Sequence, residues 1–293
     1  MKFIKKMFVV LVCILTLSGC VFKGDTMEGI DIYTTVYPIK YLLNYLYGDY
    51  STIKEIYPIG VDIDDYKLSD RKLNDYSKTD LFVFNSQDID RDYAVSMINK
   101  NSDLKIIDVS LGMTYNYSVE ELWLNPYNYL MMAQNLKNGL LEYVTNPYLI
   151  SNDEKTGIED KYEELKYDLS KLDANLKESI NNASYKTIVV DNDLFKYLEK
   201  YNLTVISLED NDNLTTSTID EVKKLIKEGK IKYIYSIYNE SNDVVKSLIK
   251  EYDVELVTIN SMRSVDGGIT NSNESYLTIM NNNIDLFKKE LYK

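Results

Sequence analysis

Oxygen donors dominate the segments of this sequence where chemistry could take place. Pro58-Ile59-Gly60-Val61-Asp62-Ile63-Asp64-Asp65-Tyr66 is a dense carboxylate loop, and a second loop ends in Glu120-Glu121-Leu122-Trp123-Leu124-Asn125-Pro126. Asp191-Asn192-Asp193 and Asn260-Ser261-Met262 add further carboxyl and amide oxygens. Such groups can ligate a hard cation or hold an amine or a polyol. A pair such as Asp64 and Glu121 could also serve as acid and base in hydrolysis. Much other chemistry is excluded. The chain has no histidine and two cysteines, Cys13 and Cys20. Ser-His-Asp and Cys-His catalysis, zinc fingers and imidazole ligation all need residues that are missing. The glycine patterns that cradle phosphates are absent too, and Gly267-Gly268 reads as a turn.

Charge narrows the partners. The formal net charge is −13, and removal of residues 1–19, with Lys2, Lys5 and Lys6, takes it to −16. A polyanion is a poor nucleic-acid binder. Arg71, Arg91 and Arg263 are the only arginines, which also argues against a phosphate-gripping cluster. The 27 tyrosines would suit a sugar cleft, but Lys, Asn and Ile are enriched beside them, as AT-rich coding would produce.

The elements that must position these loops follow an α/β alternation. Ile30 to Thr35, Ile53 to Tyr57, Leu81 to Asn85 and Leu104 to Val109 have the pattern of strands, with helices starting near Pro38, Asp70 and Asp90. A helical stretch runs from Pro126 to about Tyr143. Beyond it Ile158, Tyr162, Leu165, Leu169, Leu172, Leu176 and Ile180 recur at spacings of three and four, the apolar stripe of a long amphipathic helix. Strands are predicted again near Thr187 to Asp191, Thr204 to Leu208, Lys232 to Ser236 and Glu255 to Ile259. Helices are predicted at Leu194 to Tyr201, Ile219 to Lys227, Asp243 to Tyr252 and Ser275 to Leu291. The expected fold is α/β: two lobes, each a mostly parallel sheet flanked by helices, joined by one long rigid helix. The expected division is an N-terminal lobe over 30–145, the connecting helix over 150–182 and a C-terminal lobe over 183–293. In such sheets ligands sit beyond the carboxyl ends of the strands, which is where the four polar loops fall.

The amino terminus reads as an export signal. Lys2, Lys5 and Lys6 precede an apolar run from Met7 to Leu17, followed by Leu17-Ser18-Gly19-Cys20. The run is shorter than the roughly 20 residues that span a bilayer. It fits a lipoprotein signal peptide over 1–19, with Cys20 lipidated and 20–29 as a tether. The expected location is the extracytoplasmic face of the cell membrane.

The loops also resemble those of a known family, the metal-binding lipoproteins of zinc and manganese ABC importers (cluster A-I, solute-binding protein family 9). Thr34-Thr35-Val36-Tyr37-Pro38-Ile39 is similar to that family's first strand and turn, and Pro58 to Tyr66 is similar to its P-x-G-x-D-P-H-x-Y, with Asp64 in the histidine position. Glu121-Leu122-Trp123-Leu124-Asn125-Pro126 resembles H-x-W-L-D-P, with Glu121 in the histidine position. Asp193-Leu194-Phe195-Lys196-Tyr197 resembles D-A-F-x-Y, with Asn192 in the preceding ligand position. Asn260-Ser261-Met262 resembles D-S-L, and Ser275-Tyr276-Leu277 resembles T-Y-L.

The resemblance implies a solute-binding protein, not an enzyme, that is monomeric and delivers a divalent cation to a permease and its ATPase. Its ligand set would be Asp64, Glu121, Asn192 and Asn260. Four oxygen donors favour Mn²⁺ or another hard cation over Zn²⁺, and Gly112 to Ser118 is too short for the histidine-rich loop of zinc members. Each residue also has a plain structural role open to it: Asp64 in a solvated loop, Glu121 as an acid at a helix start, Asn192 as an N-cap, Asn260 in a turn. A diverged member could instead bind an organic solute or act as an adhesin or scaffold.

Overall fold

The computed structural model describes residues 29–143, 152–237, 241–264 and 274–293. The expected signal peptide, Cys20, most of the tether and the Gly267-Gly268 turn lie outside the described residues.

The first lobe begins with β1 (Ile30–Thr34), α1 (Tyr37–Tyr47), β2 (Ser51–Glu55) and α2 (Asp70–Tyr76). It continues through β3 (Leu81–Phe84), α3 (Asp90–Lys100), β4 (Lys105–Asp108), the single turn α4 (Glu121–Leu124) and α5 (Pro126–Tyr143). All its strand pairings are parallel, in the order β2-β1-β3-β4. After α6 (Asn152–Asn181), the second lobe contains β5 (Thr187–Val190), a 3₁₀ segment (Asp193–Tyr201), β6 (Thr204–Ser207) and α7 (Thr216–Lys227). It ends with β7 (Tyr233–Ser236), α8 (Asp243–Glu251), β8 (Glu255–Thr258) and α9 (Tyr276–Leu291). Its sheet is also parallel, in the equivalent order β6-β5-β7-β8. The halves therefore share a topology that leaves no trace as a sequence repeat. In each sheet the winding direction reverses between the first and third strands, which opens a crevice at their carboxyl ends.

The long helix forms as its apolar spacing requires. Ile158, Tyr162, Leu165, Leu169, Leu172, Leu176 and Ile180 are all buried, on one stripe that packs against α5, α1 and α9. Short polar side chains cap four of the other helices. Ser69 accepts the N–H of Lys72 at α2, Thr215 that of Thr218 at α7, Asn242 that of Val245 at α8 and Ser275 that of Thr278 at α9.

Two expectations need correction. The second strand runs from Ser51 to Glu55, two residues earlier than Ile53 to Tyr57. Ile56 and Tyr57 are buried after the strand has ended, so their apolar character reports packing of the loop, not of the sheet. The segment after Asn192 is 3₁₀ instead of α-helical. Its buried residues Leu194 and Tyr197, and Phe195, Leu198 and Tyr201, recur every three positions, the period at which 3₁₀ side chains eclipse.

Candidate functional site

The lobes meet along the loops at the carboxyl ends of their strands. From the second lobe, the loop after β8 carries Asn260, Ser261, Met262 and Arg263. The last helix fixes its start, since Asn283 Oδ1 accepts the N–H of Asn260 at 3.0 Å and Asn283 Nδ2 donates to the Asn260 carbonyl at 2.9 Å. Asn260 Oδ1 then accepts the N–H of Met262 at 2.9 Å, closing a turn in which Met262 adopts a left-handed conformation at φ 57°. That conformation is unfavourable for an unbranched side chain by about 1 kcal/mol. It is held by the asparagine hydrogen bonds and by complete burial of the Met262 side chain. The turn leads directly into Arg263, whose side chain is only 11 % exposed.

Three carboxylates of the first lobe surround this guanidinium. Asp64, on the loop after β2, accepts a short hydrogen bond from Nη2. Asp88, on the loop after β3, places Oδ2 3.0 Å from Nη1. Glu120, immediately before α4, places Oε1 3.5 Å from Nε. The last two contacts have ion-pair distances without hydrogen-bond angles, so among the described residues the buried Nε and Nη1 have no directed acceptor. Charge, not hydrogen-bond geometry, holds them. Burial works against the Arg263 charge, but Glu120, Asp64 and Asp88 outweigh it and raise its pKa overall. Burial also raises the Glu120 pKa, with Arg263 opposing. One cation against three anions leaves the cluster two charges negative.

Each residue expected in the ligand set has a definite environment. Asp64 has 63 % of its side chain exposed and pairs with Arg263. Glu121 is buried and its Oε2 accepts the N–H of Asn116 at 3.0 Å. Asn192 caps the 3₁₀ segment, its Oδ1 accepting the N–H of Leu194 at 2.8 Å. Asn260 closes the turn that aims Arg263. The structure thus joins Asp64 to the Asn260 loop through Arg263 and gives Glu121, Asn192 and Asn260 local hydrogen bonds. Among the described residues no three Asp, Glu, His or Cys side chains gather in metal-holding geometry, because the acids surround the guanidinium instead of one another. The cavity beside Arg263, lined by Thr35, Tyr37, Tyr57, Ile63 and Ser264, measures about 10 Å³. That is scarcely room for one water and far below what an organic solute needs.

Sequence reasoning missed Asp88 and the roles of Glu120 and Arg263. A signal was present for Asp88: it follows β3, the strand at which the winding of the first sheet reverses. Beneath it, buried Asp90 accepts the Tyr57 hydroxyl at 2.7 Å; burial pushes its carboxyl up to about 6, with the Tyr57 bond opposing. On the second lobe burial likewise pushes Asp191 up to about 6.

The lobes are latched around this cluster. Trp123 Nε1 donates to the Ser261 carbonyl at 2.7 Å, and the Tyr276 hydroxyl donates to the Trp123 carbonyl at 2.6 Å. The Tyr276 ring stacks on Tyr129 at 3.9 Å. Tyr37 donates to the Glu274 carbonyl at 2.6 Å and Lys200 to Asn125 Oδ1 at 2.6 Å. Trp123 is completely buried, in keeping with a packing role.

The sequence profile of the zinc-uptake complex component A, periplasmic (ZnuA), matches residues 32–290. The chain belongs to that family. Zinc-binding lipoprotein AdcA of Streptococcus pneumoniae is 21 % identical over 302 residues, covering 94 % of this chain and 59 % of AdcA. The chain therefore spans little more than half the length of that relative. High-affinity zinc uptake system protein ZnuA of Bacillus subtilis is 21 % identical over 319 residues, covering 97 % of both proteins. The Zn(II)-bound ZnuA-like domain of S. pneumoniae AdcA has the same fold, with a TM-score of 0.72 at 21 % identity, over 91 % of this chain and all of the domain. ZnuA proteins are solute-binding components of uptake systems, not enzymes. The relatives are named for zinc, so a preference for Mn²⁺ finds no support among them.

Proposed function

We propose that this chain is the extracytoplasmic solute-binding component of a metal-ion ABC importer, and that it captures a divalent cation between its lobes for delivery to a permease and its ATPase. The observation that carries this reading is the convergence of Asp64, Asp88 and Glu120 on one buried cation at the carboxyl ends of the strands. A cleft that draws three acids around a positive charge is built to hold cations. Asp64, Glu121, Asn192 and Asn260 remain the proposed ligand positions by family correspondence. Asp88 and Glu120 join them as further acids that face Arg263 beside Asp64.

Zinc is the cation in the relatives' names. The donors here are all oxygen, which favours a harder ion such as Mn²⁺ on chemical grounds. With Arg263 docked, the cavity of about 10 Å³ beside it leaves no room there for an organic solute. The proposal includes export by a signal peptide over 1–19, lipid anchoring at Cys20 through a tether to residue 29, lobes over 30–145 and 183–293 bridged by 150–182, and a monomer at the membrane surface.

Calorimetric titration of the chelator-stripped protein with Zn²⁺, Mn²⁺, Ca²⁺ and Mg²⁺ tests the cargo. Saturable binding of one ion, weakened by Asp64→Ala and by Glu121→Ala, is expected. No binding of any ion by the wild-type protein or by variants of the cleft would reject the reading. Loss of membrane association in Cys20→Ala cells would bear out the anchor.

A further inference from the structure

We infer that Arg263 is a tethered competitor of the cargo: its guanidinium occupies the position to which Asp64, Asp88 and Glu120 converge, and a divalent cation binds there only by expelling it. This inference rests on the reading that the cargo is a divalent cation. Three observations carry it. Arg263 belongs to the second lobe and its partners to the first, so the pair closes the cleft as a bridging cation would. The arginine follows a turn built on left-handed Met262 and pinned by Asn260 and Asn283, so its direction is imposed by the loop.

The third observation is the quality of the fit. Nε and Nη1 are buried, yet among the described residues neither has a directed hydrogen-bond acceptor. A guanidinium that satisfied a carboxylate in its usual two-pronged way would be hard to displace. Among the described residues this one is held by charge, with one hydrogen-bonded corner, while the cluster keeps a formal excess of two negative charges. A small divalent ion can approach three carboxylates more closely than a planar fork, and it carries twice the charge. Arg263 would then swing toward solvent beside Ser264, an exposed residue that lines the same cavity.

Competition of this kind has a defined signature. The apparent affinity for cargo is lowered by the fraction of molecules in which the arginine is docked. The same docking lets the lobes hold together without cargo, so the cation-free protein resembles the loaded one. Arg263 thereby sets a threshold, rejecting ions that cannot outcompete a guanidinium and easing release once the permease disturbs the loop.

The test is titration of wild-type protein, Arg263→Gln and Arg263→Ala with Zn²⁺ and Mn²⁺, alongside thermal melts with and without each ion. Tethered competition predicts that both variants bind tighter than wild type, by about tenfold or more. It predicts that both melt lower than wild type when stripped, and that the cation restores the loss. Adding Asp88→Asn to Arg263→Gln should abolish the gain. Damage to the fold weakens binding, so tightening cannot be a by-product of misfolding. Wild-type binding with equal or weaker binding by both variants would overturn the inference and leave the cargo reading standing. Binding by none of the proteins would overturn the cargo reading and this inference with it.

Discussion

The indole N–H of Trp123 in the first lobe donates to the main-chain carbonyl of Ser261 in the second, at 2.7 Å, two residues before Arg263. The Trp123 carbonyl accepts the Tyr276 hydroxyl at 2.6 Å, so one residue ties both the arginine loop and the last helix to α4. Trp123→Phe keeps an aromatic ring but removes the donor from a half-buried carbonyl. A loss of about 1–3 kcal/mol is expected. Denaturant melts would measure it, and an unchanged midpoint would remove Trp123 from the latch.

Close packing sets a second expectation. A Cβ on Gly139 of α5 would lie 2.8–2.9 Å from three side-chain atoms of Ile107 on β4, nearer than carbon atoms approach. Alanine suits a helix better than glycine by about 1 kcal/mol. Here the clash should win, and Gly139→Ala should destabilise by about 1–3 kcal/mol. Combining it with Ile107→Ala should recover part of that loss, so simple additivity in the double-mutant cycle would refute the contact.

Tyrosines govern the alkaline limit. Burial, followed by nearby Glu274 and Glu55, pushes the Tyr37 hydroxyl up to about 12. Burial and the neighbouring Tyr45 push Tyr41 up to about 12. A phenol whose folded pKa exceeds its unfolded value near 10 binds more protons folded than unfolded between the two. Its stabilising contribution is complete below pH 10 and is lost as pH rises toward 12. The tyrosinate absorbance lost in Tyr37→Phe and in Tyr41→Phe, taken as a difference from wild type, should therefore appear together with the loss of helical circular dichroism in that window. A difference signal that appears well before helix loss would contradict the burial argument.

Lobe motion should be small. The latch of Trp123, Tyr276, Tyr37 and Lys200 ties the lobes together by hydrogen bonds, and α6 packs against helices of both. Small-angle scattering of stripped and cation-loaded protein should give matching radii of gyration. A clear compaction on loading would refute the latch as a restraint on lobe motion.

Much of the fold was legible because hydrophobic period reports burial directly. The stripe from Ile158 to Ile180 marked a bridging helix, and all its members are buried. Strands β3 to β8 and the helices from Asp70, Asp90, Pro126 and Asp243 fall within a residue or two of their expected bounds. The edge strand β2 was harder, since it alternates half-exposed residues while the loop after it buries Ile56 and Tyr57. The site was legible only by position. Family correspondence pointed to the Asp64 and Asn260 loops, but no local pattern reveals that Arg263 crosses between lobes to Asp64, 199 positions earlier in the chain. A salt bridge of that separation is a property of the assembled lobes. Asp88 and Glu120 carry no periodic signal, and only the topology of the first sheet singles out the loop holding Asp88.

The packing of α6 decides how this molecule comes apart. One apolar cluster runs from Ile30 in the first strand, through Ile158 to Ile180, to Leu291 near the carboxyl end, while a smaller one around Val222, Ile234 and Val245 backs the second sheet. A core shared in this way denies either lobe an independent melting point, so heating should give one calorimetric transition. Amide exchange should be fastest where the chain leans on the smaller cluster alone, in α7 and α8. The outer flank of the second lobe would thus loosen while the cleft and its crossing helix stay intact.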